Sequence, residues 1–128
     1  MTRGLADTSL FIARESGRRL AQIDLPDQLA ISVITIGELW AGVLAAADTA
    51  TRDLRLATLT EALAFDAVPI GQAVAEAWAR LRRLLRDAGM RMPVNDSWVA
   101  ATAMTLDIPV VTQDDDYVEV GGLSVIRL

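Results

Sequence analysis

Five carboxylates stand at or near predicted element boundaries. Asp7 follows a short apolar run, and Glu38 lies in Ile36-Gly37-Glu38-Leu39. Asp96 comes just behind Pro93 and Asn95, and Asp114 and Asp116 belong to the acidic run after Pro109-Val110-Val111. Four of them, Asp7, Glu38, Asp96 and Asp114, come just after a strand end or at a helix start. In an open α/β sheet such positions face the crevice outside the carboxyl ends of the strands. Acids gathered there repel one another unless a cation sits among them. The chain has no histidine and no cysteine, so a site of this kind offers hard oxygen ligands alone, which suits magnesium, or manganese, over zinc.

Composition narrows the chemistry further. All 12 basic residues are arginine, so a histidine general base, a histidine-ligated zinc and a lysine nucleophile are all excluded, leaving carboxylates, hydroxyls and arginine. The formal charge of -5 argues against a protein that coats nucleic acid indiscriminately. If the five named acids share one site, the remaining 12 acids balance the 12 arginines, and the net charge belongs mostly to that site. The lack of cysteine rules out disulfides and fits a reducing cytoplasm. No apolar core of a signal peptide stands near Met1. The apolar stretch from Leu29 to Ala47 has Glu38 at its centre, where an acid costs roughly 2.5–3.5 kcal/mol on insertion into a membrane. A strand followed by a helix explains it better, and no membrane partner is expected.

The 128 residues are enough for one domain with a sizeable core. Strands are predicted at Leu5 to Asp7, Ala30 to Val33, Ala67 to Ile70, Pro109 to Val111 and Ser124 to Leu128. A weak helix runs from Leu10 to Ile23 and breaks at Leu25-Pro26-Asp27. A second starts at Thr35, with Ile36, Leu39, Trp40, Val43, Leu44 and Ala47 at helical spacing. A third spans Arg52 to Phe65 on the stripe Leu56, Leu59, Leu63. A fourth spans Gly71 to Ala88 on Val74, Trp78, Leu81, Leu85 and Ala88, with Gly89 as its stop. A fifth begins at Asn95, the predicted N-cap, with Asp96 in its first turn. Alternating strands and helices predict an α/β fold, a mostly parallel sheet of four or five strands flanked by helices.

Each acid also has an ordinary structural reading. Glu38 completes a capping box with Thr35. Asp96 gains from the positive end of a helix dipole. Asp114, Asp115 and Asp116 suit a solvated turn, and Asp7 a turn with Thr8 and Ser9. None is specific by itself.

Taken together, Asp7 after the first strand, Ile36-Gly37-Glu38-Leu39, Asn95-Asp96-x-x-Val99-Ala100-Ala101-Thr102-Ala103 and Thr112-Gln113-Asp114-x-Asp116-Tyr117 resemble the PIN-domain ribonucleases, and within them the VapC-type toxins of toxin–antitoxin pairs. The resemblance runs from Leu5 to Leu128 and implies one PIN-like domain over residues 1–128. It implies that Asp7, Glu38, Asp96 and Asp114 form a catalytic acidic quartet holding magnesium. Asp7, Asp96 and Asp114 would be metal ligands, with Asp116 an extra or second-metal ligand and Thr112 orienting the acids. Many relatives carry Thr-Arg-Asn with the next acid farther on, so the division of roles among Asp114, Asp115 and Asp116 stays open. The activity implied is metal-dependent endoribonuclease cleavage that leaves a 5′-phosphate and a 3′-hydroxyl. The implied partners are RNA and a VapB-type antitoxin that seats on Trp40, Val43 and Leu56, in a complex built on a toxin homodimer.

Five of the twelve arginines, Arg80, Arg82, Arg83, Arg86 and Arg91, precede Asp96 in one short stretch. They suit either a solvated helix face or an RNA-binding surface, with Arg82, Arg83 and Arg86 on phosphates. Two other functions compete with the nuclease. A metal-dependent phosphoryl-transfer domain also gathers acids at strand ends, but the chain lacks both the late-strand lysine of a receiver and the Asp-x-Asp of a haloacid-dehalogenase-like phosphatase. The other is a partner-binding PIN-like domain without catalysis, which the intact acids disfavour.

Overall fold

The computed structural model describes residues 1–19 and 25–128. In chain order the elements are β1 (Arg3–Ala6), α1 (Thr8–Glu15), β2 (Gln28–Ser32), α2 (Val33–Leu44), α3 (Thr49–Ala62), β3 (Asp66–Val68), α4 (Gln72–Asp87), α5 (Val94–Leu106), β4 (Val110–Thr112) and β5 (Val125–Arg127). All five strands join one parallel sheet in the order β3-β2-β1-β4-β5. From β1 the chain builds outward through β2 to β3, then crosses back to add β4 and β5 on the other side. That reversal beside β1 creates a crevice at the carboxyl ends of β1 and β4.

The central strands β1, β2 and β4 are buried on both faces, and their consecutive residues point to opposite cores. Leu5, Ala30 and Val110 pack with Leu81, Leu85, Val99, Ala100 and Ala103 of α4 and α5. Their neighbours Ala6, Ile31 and Val111 pack with Leu10 and Phe11 of α1, Leu39 and Val43 of α2, and Leu59 and Ala62 of α3. The predicted α/β class and five strands are therefore observed, and the apolar segment from Leu29 is β2 running into α2. Among the described residues no helix is long and apolar enough to cross a membrane.

Several boundaries differ from expectation for local reasons. β1 ends at Ala6, because Asp7 caps α1. That helix stops at Glu15, and the predicted extension to Ile23 falls partly on residues 20–24, outside the described residues. β2 ends at Ser32, whose hydroxyl accepts from the Ile34 N–H at 3.0 Å and starts α2 there. Thr35 is thus already inside the helix and fully buried, so the capping box of Thr35 with Glu38 does not form. Asp48 caps α3, accepting from the Thr51 N–H at 2.8 Å, which shifts that helix three residues earlier than predicted. Its inward face is Thr58, Leu59 and Ala62, while Leu56 and Leu63 lie outside. β3 ends at Val68, before Pro69, which has no N–H for a ladder. Gly89 ends α4 as predicted, at φ 66, with the Met90 N–H on the Leu85 carbonyl and the Gly89 N–H on that of Arg86. In α5 the N-cap is Pro93, without a side-chain cap, so Asn95 is not the cap but the second helical residue.

Candidate active site

Asp7 shows how the cleft is assembled. Standing between β1 and α1, it turns the chain and accepts from the Ser9 N–H at Oδ2, 3.3 Å away. The residue is 1% exposed, and a carboxylate out of water must find donors. Thr112, at the end of β4, donates its hydroxyl to Oδ2 at 3.0 Å, and Tyr117 donates to Oδ1 at 2.7 Å. A carboxylate only accepts, which sets the direction of the other bonds. The single Thr112 hydroxyl proton goes to Asp7, so the 3.0 Å contact between Ser9 Oγ and Thr112 Oγ1 is a donation from Ser9. Ser9 Oγ accepts from the Gln113 N–H at 2.9 Å, and Thr112 Oγ1 accepts from the Asp114 N–H at 3.0 Å. One hydroxyl network therefore ties the end of β1, the start of α1 and the loop after β4 together.

Glu38 arrives from the second turn of α2. The Thr8 hydroxyl donates to Glu38 Oε1 at 2.7 Å and lies 2.9 Å from Thr35 Oγ1. Asp96 comes from the first turn of α5 and is half-buried. Asp7, Glu38, Asp96 and Asp114 line one cleft of about 230 Å³, together with Thr8 and Arg18. Carboxylate oxygens of Asp96, Asp114 and Asp116 all lie within 4.8 Å of one another. Ligand oxygens around an octahedral magnesium are separated by about 3 Å when adjacent and about 4 Å when opposite, so modest side-chain rotations fit this trio to one ion.

The electrostatics report the same crowding. Burial, followed by the charges of Asp7, Asp116, Glu38 and Asp114, pushes the Asp96 carboxyl from its ordinary 3.8 up to about 7. Asp114 is also raised, first by burial, then by Asp7 and Asp116, with Arg18 opposing. Burial, then the neighbouring Asp7, raises the Tyr117 phenol well above its ordinary 10, so it remains a hydrogen-bond donor at physiological pH. Carboxyls that resist ionisation are what an all-oxygen site looks like without a compensating charge. The donor set is carboxylate throughout, which suits a hard divalent cation.

The structure thus brings the whole predicted quartet together, places Asp116 against Asp96 and Asp114, and gives Thr112 contacts with both Asp7 and Asp114. Asp7 and Glu38 line the cleft but stand outside the tight trio. Ser9, Thr8, Tyr117 and Arg18 are the participants that sequence reasoning left without a role. Their signal was weak. Two hydroxyl residues follow Asp7 directly, but nothing in the sequence pairs Tyr117 with an acid 110 positions away.

Arg82, Arg83, Arg86 and Arg91 line a second, larger groove of about 840 Å³ where α4 turns into α5. It ends at Pro93 and Val94, next to the turn that carries Asp96. Arg83 pairs with Asp87 at 3.2 Å, and Arg82 lies over the Trp78 ring, 5.7 Å from its centre. Trp78 stacks face to face on Trp98 of α5. Arg86 has no ion pair among the described residues. Of the residues expected to meet a protein partner, Trp40 is 44% exposed and Leu56 41%, but Val43 is 5% exposed. Val43 belongs to the core between α2 and the sheet, so its side chain is not an open contact surface.

Residues 5–123 match the family model described as PIN domain. The chain is 45% identical over 125 residues to Ribonuclease VapC5 of Mycobacterium tuberculosis, covering 98% of this chain and 93% of that protein. It is 44% identical over 131 residues to Ribonuclease VapC4 of the same organism, covering 98% and 97%. Its fold superposes on a chain of the crystal structure of VapBC-5, a member of the VapBC family of toxin-antitoxin systems from M. tuberculosis, with a TM-score of 0.87, 40% identity and full coverage of both chains.

Proposed function

Since this chain belongs to the PIN-domain family, and within it to the VapC ribonucleases, we propose that its acidic cleft is a magnesium site at which an RNA phosphodiester is hydrolysed. The observation that carries this reading is the trio Asp96, Asp114 and Asp116, whose oxygens cluster within 4.8 Å beside buried Asp7. A divalent cation held there would supply Lewis acidity, activating water and offsetting the charge of the scissile phosphate.

The chain's own residues do the rest. Asp96 and Asp114 would hold the ion as carboxylates, and Asp116 would close the trio from the exposed side. Asp7, fixed by Thr112, Ser9 and Tyr117, presents a carboxylate that cannot swing away. Glu38 sits across the cleft with one oxygen on Thr8 and accepts the proton that the attacking water loses. Attack by water leaves a 5′-phosphate and a 3′-hydroxyl and needs no 2′-hydroxyl. Arg82, Arg83 and Arg86 hold RNA phosphates on the groove that leads to the turn of Asp96.

The physiological partner is a VapB-type antitoxin, in a complex built on a homodimer of this chain. Trp40 and Leu56 expose large apolar surface on the packed pair α2 and α3, as expected of a docking face. The test is cleavage of a mixed RNA pool by the purified protein with magnesium, with chelator, and with added antitoxin. Cleavage that persists undiminished in chelator would remove the cation from the reaction.

A further inference from the structure

The loop from Gln113 to Tyr117 carries two of the three clustered acids but belongs to no helix or strand. Two side chains hold it from opposite sides. From outside, Arg127 on the edge strand β5 donates through Nη2 to the Tyr117 carbonyl at 2.5 Å and through Nε to the Asp114 carbonyl at 3.3 Å. From inside, the Tyr117 ring is packed among Leu5, Leu81, Val99, Val110 and Leu123, and its hydroxyl meets Asp7 Oδ1.

A phenylalanine would fill that core equally well, so the hydroxyl requires its own explanation. In an apolar setting it is costly unless paired, and the acceptor it has is the buried acid of the site. The lone pairs of Asp7 make the arrangement specific. Oδ2 accepts twice, from Ser9 and Thr112, and is saturated; among the described residues Oδ1 accepts from Tyr117 alone, leaving it one free lone pair.

We propose that Tyr117 is a positioning residue for the cation site. Its hydroxyl orients Asp7 so that the free lone pair of Oδ1 faces the cleft, and its backbone, gripped by Arg127, sets the loop that brings Asp114 and Asp116 to Asp96. Groups that orient metal ligands in this way typically change metal affinity 10–100-fold when removed.

The proposal rests on the cation reading above, and the experiment separates the two. Manganese, as the probe ion, is titrated calorimetrically into the full chain, its Tyr117→Phe variant and its Arg127→Gln variant, and the melting temperature of each is measured in chelator. Tyr117→Phe should keep its fold and bind manganese at least about tenfold more weakly, with the metal-induced rise in melting temperature restored at saturating ion. Arg127→Gln should weaken binding by a smaller factor, since it loosens the loop but leaves Asp7 held. A Tyr117→Phe dissociation constant within about twofold of the parent overturns the positioning role alone. No manganese binding by the parent chain overturns the cation reading and this proposal with it. Should Tyr117→Phe fail to fold, Arg127→Gln decides the matter, because it leaves the core untouched and an unchanged affinity contradicts the clamp.

Discussion

The acidic cleft and the arginine groove are both collections of like charge, but they are made in opposite ways. The acids come from four separate parts of the chain, after β1, in α2, at the start of α5 and after β4, and meet because the strand order reverses beside β1. The arginines come from one helix and the turn after it, and meet because they are neighbours in sequence. Asp7 is enclosed and held by three donors, and Asp96 is half-buried among other carboxylates, so repulsion is stored in the folded state. The arginines keep their heads in water, where like charges are screened and cost little. A site with stored repulsion responds to a cation; a solvated one responds to salt.

The largest effect should follow from removing charge in the cleft. Asp96→Asn keeps shape but loses the charge a hard cation requires, and RNA cleavage should fall by at least about 100-fold while circular dichroism stays unchanged. Melting in chelator at neutral pH should be unchanged or higher, because a repelling carboxylate is gone. Wild-type cleavage by this variant would remove Asp96 from the site.

Thr112→Val should come next. It preserves shape in β4 but withdraws the donor to Asp7 and the acceptor for the Asp114 N–H. Leaving buried polar groups without partners costs about 1–3 kcal/mol, visible as a melting temperature several degrees lower, and manganese should bind about tenfold more weakly. The equivalent change on the groove side, Arg82→Gln, should leave stability within about 0.5 kcal/mol of the parent.

Acidity provides a third contrast. The Asp96 carboxyl titrates at about 7 in the fold against an ordinary 3.8, and Asp114 is shifted in the same direction. The folded state therefore holds these protons more tightly than the unfolded chain does. The Asp96 contribution to stability is complete below about pH 4 and is lost as pH rises toward about 7, and that of Asp114 declines in the same direction. Melting temperatures of the metal-free protein across that window should show this decline, and Asp96→Asn should flatten it. Stabilisation by added magnesium should grow over the same range, because the ion binds the deprotonated acids. A metal-free profile that Asp96→Asn leaves unaltered would show that Asp96 is not held in this environment.

The same division between local and long-range explains what the sequence revealed. Val110-Val111 and Ala30-Ile31 read as buried strands because apolar pairs feed two opposite cores, and Gly89 as a helix stop because that position requires a left-handed backbone. The acids were legible as a set because strand ends and helix starts are where a parallel sheet exposes its crevice. Helix starts were less so. Thr35 and Glu38 match a capping box, but Ser32, where the ladder with β3 ends, starts the helix one turn earlier. Asn95 has the right residue type for a cap, yet Pro93 already opens α5. The grip of Tyr117 and Thr112 on Asp7 spans more than a hundred positions and depends on β1 lying beside β4, which no local pattern encodes.

The smallest expected effect is a difference within the arginine groove itself. Arg83 is already engaged with Asp87, and Arg82 lies over Trp78, whereas Arg86 has no ion pair among the described residues. A phosphate must compete with Asp87 for Arg83 but meets no such competitor at Arg86. In an Asp96→Asn background, which keeps RNA intact, Arg86→Gln should therefore weaken binding of a single-stranded RNA more than Arg83→Gln does. Every phosphate that an arginine no longer neutralises should flatten the dependence of log affinity on log salt by about 0.7, so Arg86→Gln should approach that change and Arg83→Gln fall short of it. The triple change Arg82, Arg83 and Arg86 to Gln should flatten it most, with manganese affinity unchanged because the acids are untouched. RNA affinities measured at several salt concentrations decide this. Parallel lines for all variants would make the groove a solvated helix face and move the RNA path to another surface, while leaving the acidic cleft as described.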